Sequence, residues 1–218
     1  MIIFDCNGVL VDSEPIAAAV AAEEFTRAGV PLSPEMIAQH FFGRRPADMF
    51  ATVEAATKRQ LPKSFAATLS AATFKRFRAE LQPTPHMAYA LSWLRGPKCV
   101  ASSSTLERIR VSLDTTGLLR FFEPHLFSAG DVPRGKPAPD LFRHAAHQMN
   151  VRPADCIVIE DSPAGITAAA AAGMTSVGFV GGSHAVPNLS VQLMAAGARA
   201  VIADMRQLKS TIVALRGW

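Results

Sequence analysis

Three carboxyl side chains and one hydroxyl lie at or near the ends of short apolar runs. Asp5 ends the run IIFD, Ser102 lies near the end of CVASS, and Glu160 with Asp161 ends CIVIED. An aspartate in this position, followed two residues later by a second acid, is typical of phosphoryl-transfer enzymes. Here the second position is Asn7. The sequence therefore indicates phosphoryl chemistry, but it lacks one of the groups that usually performs it.

These residue types fit one kind of reaction. Three carboxylates near one point repel each other, and Mg²⁺, which prefers oxygen ligands and keeps some of its waters, relieves that repulsion. Asp5 would attack phosphorus and form an aspartyl-phosphate, and Lys136 in RGKPAPD supplies a positive charge for the nucleophile or the phosphate. Ser102 and the backbone amides after Asp5 and Ser102 would hold the phosphoryl oxygens. The N-terminus of a helix beginning at Ser162 adds a favourable dipole.

Six short apolar runs predict strands that are buried on both faces and separated by helix-length segments. This alternation is typical of an α/β fold with a parallel sheet. Ligands bind such sheets at the carboxyl ends of the strands, so the polar residues there are expected to converge on one crevice. The clearest helix follows the fourth run, because Ser162, Pro163 and Gly173 suit its cap, its first residue and its left-handed end. The predicted strands are residues 2–5, 99–103, 125–129, 156–161, 176–180 and 200–204.

The connection between the first two predicted strands is too long for a crossover helix and must hold a domain. Local start and stop signals within it predict helices at residues 15–28, 34–42, 46–59 and 63–81. We therefore predict an all-helical insert, residues 15–82, joined by linkers near residues 12–14 and 82–86 to a core formed by residues 1–14 and 83–218.

Four segments together resemble the motifs of the haloacid dehalogenase superfamily, in its branch of phosphatases and phosphoglucomutase-like proteins with a helical cap. In chain order they are FDCNGVLVDSE, VASSS, GKPAPD and IEDSPAGITAAAAAGM. The resemblance covers essentially the whole chain. It implies a Rossmann-like, doubly wound core with strand order 3-2-1-4-5-6 and an inserted cap. It also implies that Asp5 is the nucleophile and that Ser102 and Lys136 contact the phosphoryl group.

The same resemblance implies a metal site and substrate contacts. Mg²⁺ would be held by Asp5, Asp161 and the backbone carbonyl of Asn7, and Glu160 would support it directly or through another ligand. The cap would close over the substrate, where Arg44 either contacts the non-reacting end of an anionic substrate or lies on a solvated helix end. The residues expected to contact substrate are Cys6, Gly8, Glu14, Gly43, Arg44 and Ser103.

Asn7 is the departure from the family pattern. Family phosphatases have an aspartate there, which protonates the leaving oxygen and later activates the water that cleaves the aspartyl-phosphate. An amide cannot exchange that proton, and loss of a positioned acid or base typically costs about 10²- to 10⁴-fold in rate. Three explanations stay open: an engineered trapping substitution, a natural enzyme with a substitute acid, and a phosphatase relic with a binding role.

Other functions compete with hydrolysis. The segment GDVPRGK nearly matches a nucleotide-binding P-loop, but Pro137 replaces the Ser or Thr hydroxyl that such a loop uses on Mg²⁺. A true dehalogenase also has an aspartate nucleophile without an acid two residues later, although dehalogenases of this family need no Mg²⁺. The well-known β-phosphoglucomutases carry a histidine at the position that matches Ala17. This chain has only a methyl group there, which favours hydrolysis over a mutase reaction. A non-enzymatic binding protein is supported by Asn7 alone.

Composition limits the partners. The chain has 218 residues, 49% of them hydrophobic, which suffices for one core plus a small insert. Its net charge of +4 comes from scattered basic residues, so we expect no nucleic acid as partner. We expect a small phosphorylated metabolite, a sugar phosphate or sugar-acid phosphate, because a single helical cap of this size encloses little more. No apolar stretch is long enough for a membrane span, and no signal peptide is evident. Three cysteines in apolar runs are expected to be buried and reduced, which indicates the cytoplasm; the oligomeric state cannot be predicted.

Overall fold

The structure is a computed structural model that describes residues 1–41 and 46–216. The strands in these residues are β1 (Ile2–Phe4), β2 (Lys98–Ser102), β3 (Leu126–Ser128), β4 (Ile157–Glu160), β5 (Thr175–Phe179) and β6 (Ala200–Ile202). The helices are α1 (Glu14–Arg27), α2 (Pro34–Phe41), α3 (Pro46–Thr57), α4 (Phe65–Glu80), α5 (Met87–Trp93), α6 (Leu106–Thr115), α7 (Asp140–Gln148), α8 (Pro163–Ala171), α9 (Leu189–Ala195) and α10 (Leu208–Arg216).

The six strands form one parallel sheet in the order β3-β2-β1-β4-β5-β6, which confirms the doubly wound, Rossmann-like fold and its predicted strand order. β1 lies at the centre, where Ile2 pairs with Lys98 of β2 and with Ile157 of β4. The strand order reverses at β1. A crevice therefore forms at the carboxyl ends of β1, β2 and β4, where such sheets bind ligands.

Both faces of the sheet are buried, because successive residues of a strand point to opposite faces and join different hydrophobic clusters. Ile2 and Phe4 of β1 join one hydrophobic cluster, which includes residues of α5, α6 and α10. Ile3 joins a second cluster on the opposite face, with residues of α7 and α8. Both faces are covered because a parallel sheet has no solvated face, which explains why its strands are continuously apolar in sequence.

Helices α1 to α4 occupy the long connection between β1 and β2. Residues of α1 to α4, among them Phe25, Val53 and Phe65, form a hydrophobic cluster of their own. α1 ends at Arg27 before Gly29, whose positive φ of 80° suits the predicted stop. A helical cap over residues 15–82 would need a core of this kind, and that division of the chain stays a prediction.

The two linkers of the insert run side by side. The backbone N–H of Asp12 donates to the Gln82 carbonyl at 3.1 Å, and that of Thr84 donates to the Leu10 carbonyl at 3.0 Å. Val11 forms a bridge with Pro83 between them. The insert therefore leaves and re-enters the core at adjacent points.

The helix after β4 follows its sequence signals closely. α8 begins at Pro163, and the Ser162 hydroxyl caps it by accepting a hydrogen bond from the Gly165 N–H at 3.0 Å. Gly173 has a φ of 79°, as expected for a residue past a helix end. None of the helices in residues 1–41 and 46–216 has both the length and the apolarity needed to span a membrane.

Candidate active site

The ends of three strands place the predicted chemical groups around one cavity. Asp5 directly follows β1, Ser102 ends β2, and Glu160 ends β4 with Asp161 after it. The Asp5 N–H donates to the Ile159 carbonyl at 3.0 Å, which fixes the start of the loop against the sheet. These four side chains are buried from bulk solvent, yet they line a cavity of about 790 Å³ between the sheet edge and the cap. The predicted convergence is therefore observed.

Lys136 connects two of these carboxylates. Its Nζ donates to Asp5 Oδ1 at 2.5 Å, to Glu160 Oε1 at 2.6 Å and to the Ala101 carbonyl at 3.2 Å. Its side chain is 2% exposed. A buried ammonium with three oxygen acceptors is fully hydrogen-bonded, so its position beside the Asp5 carboxylate is well defined.

The charges of this cluster shift one another's protonation. Burial alone would lower the pKa of Lys136, but the charges of Asp5 and Glu160 outweigh it and raise the pKa above its ordinary value. Burial also raises the pKa of Asp5, with Lys136 opposing and Glu160 and Asp161 adding to the rise. The cluster thus holds more negative than positive charge, and a further cation would stabilise it.

Both carboxylate oxygens of Glu160 accept hydrogen bonds from neighbouring groups. Its Oε2 accepts hydrogen bonds from both the backbone N–H and the hydroxyl of Ser162, each at 2.9 Å, while its Oε1 binds Lys136. Gly165 makes room for it, because a Cβ at that position would lie 1.9 Å from Glu160 Oε1. Both carboxylate oxygens already have partners, which favours a role for Glu160 in orienting Lys136 and the start of α8.

Asp161 lies between two loops. Its Oδ2 is 2.9 Å from His184 Nε2, in the segment after β5. On the other side lies Gly8, with a φ of 74°, where a Cβ would come within 1.9 Å of Asp161 Oδ2. Glycine at position 8 therefore permits both the turn after Asp5 and the close approach of that turn to Asp161.

Asn7 faces the same cavity with its amide. Its Nδ2 donates to the Ser104 hydroxyl at 3.1 Å, and its Oδ1 is buried without a hydrogen-bond partner among the described residues. Asn7 thus lines the cavity, and its amide is a group that cannot release a proton at neutral pH.

The residues predicted to contact substrate differ in their location. Ser103 and Glu14 line the cavity. The Cys6 side chain is instead fully buried in the core, so a contact from Cys6 can come only from its backbone. Gly43 and Arg44, the two predicted cap contacts, lie outside the described residues.

Two further cavity residues escaped the sequence reasoning: Arg108 on α6 and His184 after β5. Arg108 lies in the first turn of the helix that follows Ser102, a position that marks it as close to the site. His184 lies in the segment GGSH, beyond the strand next to β4. The signal for Arg108 is its place shortly after Ser102, whereas the signal for His184 requires knowing that β5 lies beside β4.

The far wall of the cavity belongs to the cap and is mostly apolar. It includes Ala17, Ala21, Met49 and Leu69, together with the hydroxyl-bearing Thr73. The polar groups of the cavity therefore lie mainly on the side of the sheet edge.

Comparison with known proteins agrees with this geometry. The family model described as haloacid dehalogenase-like hydrolase matches residues 1–173, which include the first three motifs and all but the last residue of the fourth. The chain belongs to the haloacid dehalogenase-like hydrolases. Among curated relatives of this hydrolase, a 6-phosphogluconate phosphatase of Escherichia coli is 33% identical over 187 residues, covering 85% of each chain. A fructose-1-phosphate phosphatase of the same organism is 30% identical over 188 residues, covering 81% of this chain and 94% of that protein.

Solved structures of the family are similar over nearly the whole hydrolase. A haloacid dehalogenase-like protein of Agrobacterium tumefaciens is 39% identical with a TM-score of 0.83, covering 99% of this chain and 98% of that one. A family hydrolase of Deinococcus radiodurans, solved with bound phosphate and sodium, is 30% identical with a TM-score of 0.76 and covers 97% and 94%.

Proposed function

We propose that this hydrolase is a Mg²⁺-dependent phosphatase of small sugar or sugar-acid phosphates that works through an aspartyl-phosphate on Asp5. The observation that carries the proposal is the buried cluster of Asp5, Lys136 and Ser102 at one end of a cavity. The relatives support the reaction class, because both of the curated proteins compared above are phosphatases of phosphorylated sugars or sugar acids.

The residues present fit a magnesium ion. The implied ligands are the carboxylates of Asp5 and Asp161 and the backbone carbonyl of Asn7, which are all hard oxygen donors of the kind that Mg²⁺ prefers. No group of three or more His, Cys, Asp or Glu side chains in the described part of the chain has the arrangement of a metal site. Two carboxylates with waters and a substrate oxygen are nevertheless a common Mg²⁺ environment. When bound, the ion would neutralise negative charge on the phosphoryl oxygens.

The protein groups account for the first chemical step. An Asp5 carboxylate oxygen bonds to phosphorus while the bond from phosphorus to the leaving oxygen breaks, which transfers the phosphoryl group to Asp5. Lys136 holds the attacking carboxylate, and Ser102 with the backbone N–H groups after Asp5 and Ser102 would bind the phosphoryl oxygens. Water then attacks phosphorus, releasing inorganic phosphate and restoring Asp5.

Asn7 affects both steps. The leaving oxygen needs a proton in the first step, and the attacking water must lose one in the second. The Asn7 amide, which donates to Ser104, can do neither. We therefore propose a phosphatase whose turnover is limited at position 7 while its capacity to bind substrate is retained.

We expect a small substrate, because a single helical cap leaves room for little more over the cavity. The three free cysteines, Cys6, Cys99 and Cys156, are buried. Reduced cysteines are compatible with the cytoplasm, and the cytoplasmic location stays a prediction. The absence of nucleic-acid partners also stays a prediction.

The test is a panel of phosphorylated metabolites assayed for phosphate release with and without Mg²⁺. We expect the fastest release from sugar and sugar-acid phosphates, and loss of activity when the ion is removed with a chelator. Halide release from haloacids without Mg²⁺ would instead identify a dehalogenase. Equal activity on long nucleic acids would contradict the small-substrate assignment.

Replacing Gly8 with alanine is expected to weaken Mg²⁺ binding by about 10-fold or more, because the new methyl group would displace the Asp161 carboxylate. Titration calorimetry with MgCl₂ measures this effect. The matched control is Gly117→Ala: Gly117 also has a positive φ, 69°, but no atom lies within 4 Å of its added Cβ. The two variants share the backbone strain, so an equal change in Mg²⁺ affinity would contradict the proposed contact between this turn and the metal site.

A further inference from the structure

The cavity contains a cation that the proposed reaction does not use. The Arg108 side chain lines the cavity that holds Asp5 and Lys136, and it extends from α6, the helix after Ser102. Its guanidinium carbon lies 5.2 Å from the centre of the Phe77 ring of α4, which supports it from one side. Arg108 is therefore held at the junction of core and cap, where the non-reacting part of a substrate must lie.

Arg108 is also incompletely paired. Its Nε is buried without a hydrogen-bond partner, and none of the ion pairs between described residues includes its guanidinium. By contrast, Lys136 is held between Asp5 and Glu160. A buried Nε–H without an acceptor is unfavourable by itself, and a bound anion that supplies the acceptor removes that cost.

The electrostatic surroundings agree with this geometry. Burial lowers the pKa of Arg108, although the charge of Glu14 partly opposes the change. Burial likewise raises the pKa of Glu14, the carboxyl residue on the same part of the cavity wall, and Arg108 partly opposes that rise. The two side chains are thus electrostatic neighbours without being an ion pair, and the guanidinium keeps donors for a ligand.

We propose that Arg108 determines substrate specificity by binding a carboxylate at the non-reacting end of the substrate, so that phosphorylated sugar acids are preferred to neutral sugar phosphates. The geometry of a guanidinium matches a carboxylate through two parallel hydrogen bonds, whereas a hydroxyl group accepts one weaker bond. This proposal rests on the proposed phosphatase function and names the class of substrate within it.

The test uses two substrates that differ at one carbon. Gluconate 6-phosphate and sorbitol 6-phosphate have the same open chain, ending in a carboxylate in the first and in a hydroxymethyl group in the second. Calorimetric affinities with Mg²⁺ are measured for the present chain, and kcat/KM is measured in the Asn7→Asp background. We expect the acid to be preferred, and Arg108→Gln to reduce that preference by about 10- to 100-fold, the value of a charge-assisted pair. The affinity for sorbitol 6-phosphate should change by less than about 3-fold.

Three variants sharpen the result. Arg110→Gln removes a cation two residues along the same helix, where Arg110 pairs with Glu123 and is exposed, and it should leave the preference unchanged. Arg108→Lys keeps the positive charge but lacks the paired N–H donors of a guanidinium, so it should retain part of the preference. It also serves as the test if the melting curve of Arg108→Gln shows that this variant does not fold. Glu14→Gln removes the opposing charge and should increase the preference.

The outcomes are separable. An equal loss for both substrates on substituting Arg108 would place it at the transferred phosphoryl group and overturn the proposal. So would a preference that is absent in the present chain or unchanged by Arg108→Gln and Arg108→Lys. Failure of the phosphatase function itself would look different: neither ester, nor p-nitrophenyl phosphate, would release phosphate even in the Asn7→Asp protein.

Discussion

Replacing Asn7 with aspartate is expected to raise the rate of phosphate release by at least about 100-fold, because it restores the group that protonates the leaving oxygen and activates water. Position 7 faces the cavity, and the Ser104 hydroxyl that now accepts from the Asn7 amide can donate to a carboxylate instead. The backbone carbonyl is the same in both proteins, so Mg²⁺ affinity should change little. The measurement is Mg²⁺-dependent kcat for one good substrate, paired with Mg²⁺ titration.

The matched control for this prediction is Asn7→Ala, which keeps the backbone carbonyl but offers no acid. It should remain as slow as the starting protein. The control therefore distinguishes a rate increase caused by the restored acid from one caused by removing the amide side chain. If the starting protein is already fast and Asn7→Asp adds nothing, another acid performs the transfer and the role assigned to position 7 is wrong.

Replacing Asp5 with asparagine is expected to abolish turnover, with a loss of at least about 10⁴-fold in the Asn7→Asp background. The substitution removes the atom that attacks phosphorus, and it also removes the carboxylate 2.5 Å from the Lys136 ammonium. Phosphate release is measured for the four proteins that combine Asn or Asp at position 7 with Asp or Asn at position 5. Asp5→Asn should be inactive whichever residue occupies position 7.

A second measurement identifies the nucleophile directly. Acid quenching during turnover, followed by mass spectrometry, should find the phosphoryl group on the peptide containing Asp5. With p-nitrophenyl phosphate, whose leaving group needs no proton, more of it should be found in the Asn7 protein, where hydrolysis of the intermediate is slow. Asp114→Asn, an exposed substitution on α6, should change neither activity nor labelling. Full turnover by the Asp5→Asn protein, or a phosphoryl group found elsewhere, would remove Asp5 from its assigned role.

The sheet and the groups at its edge were predictable because they depend on local patterns. The apolar run of residues 99–103 became β2 at Lys98–Ser102, and that of residues 156–161 became β4 at Ile157–Glu160. A strand buried on both faces needs continuous apolar residues and ends where they stop, so the polar residue after it marks the ligand-binding edge. The order of the strands is different, since it came from the family resemblance and not from the residues alone.

The rest of the site depends on contacts between distant segments. Arg108 matters because α4 of the cap places Phe77 against it, and no pattern within α6 encodes that neighbour. His184 reaches Asp161 from the loop after β5, which requires β5 to lie beside β4. The helix α5 is short, and no side chain caps its start, so it lacks the local signals that identified α8.

The central position of β1 has a consequence for how the protein folds. β1 emerges during synthesis before the other strands of its sheet, yet its hydrogen-bonding partners are β2 and β4, and β4 begins only at Ile157. Such long-range pairing gives a high contact order, and the entropy of closing the intervening chain must be paid before the pairing forms. We expect Asp5 to stay unordered on the ribosome until β4 has emerged, so that nascent chains ending before β4 have no functional site however well their cap helices have formed.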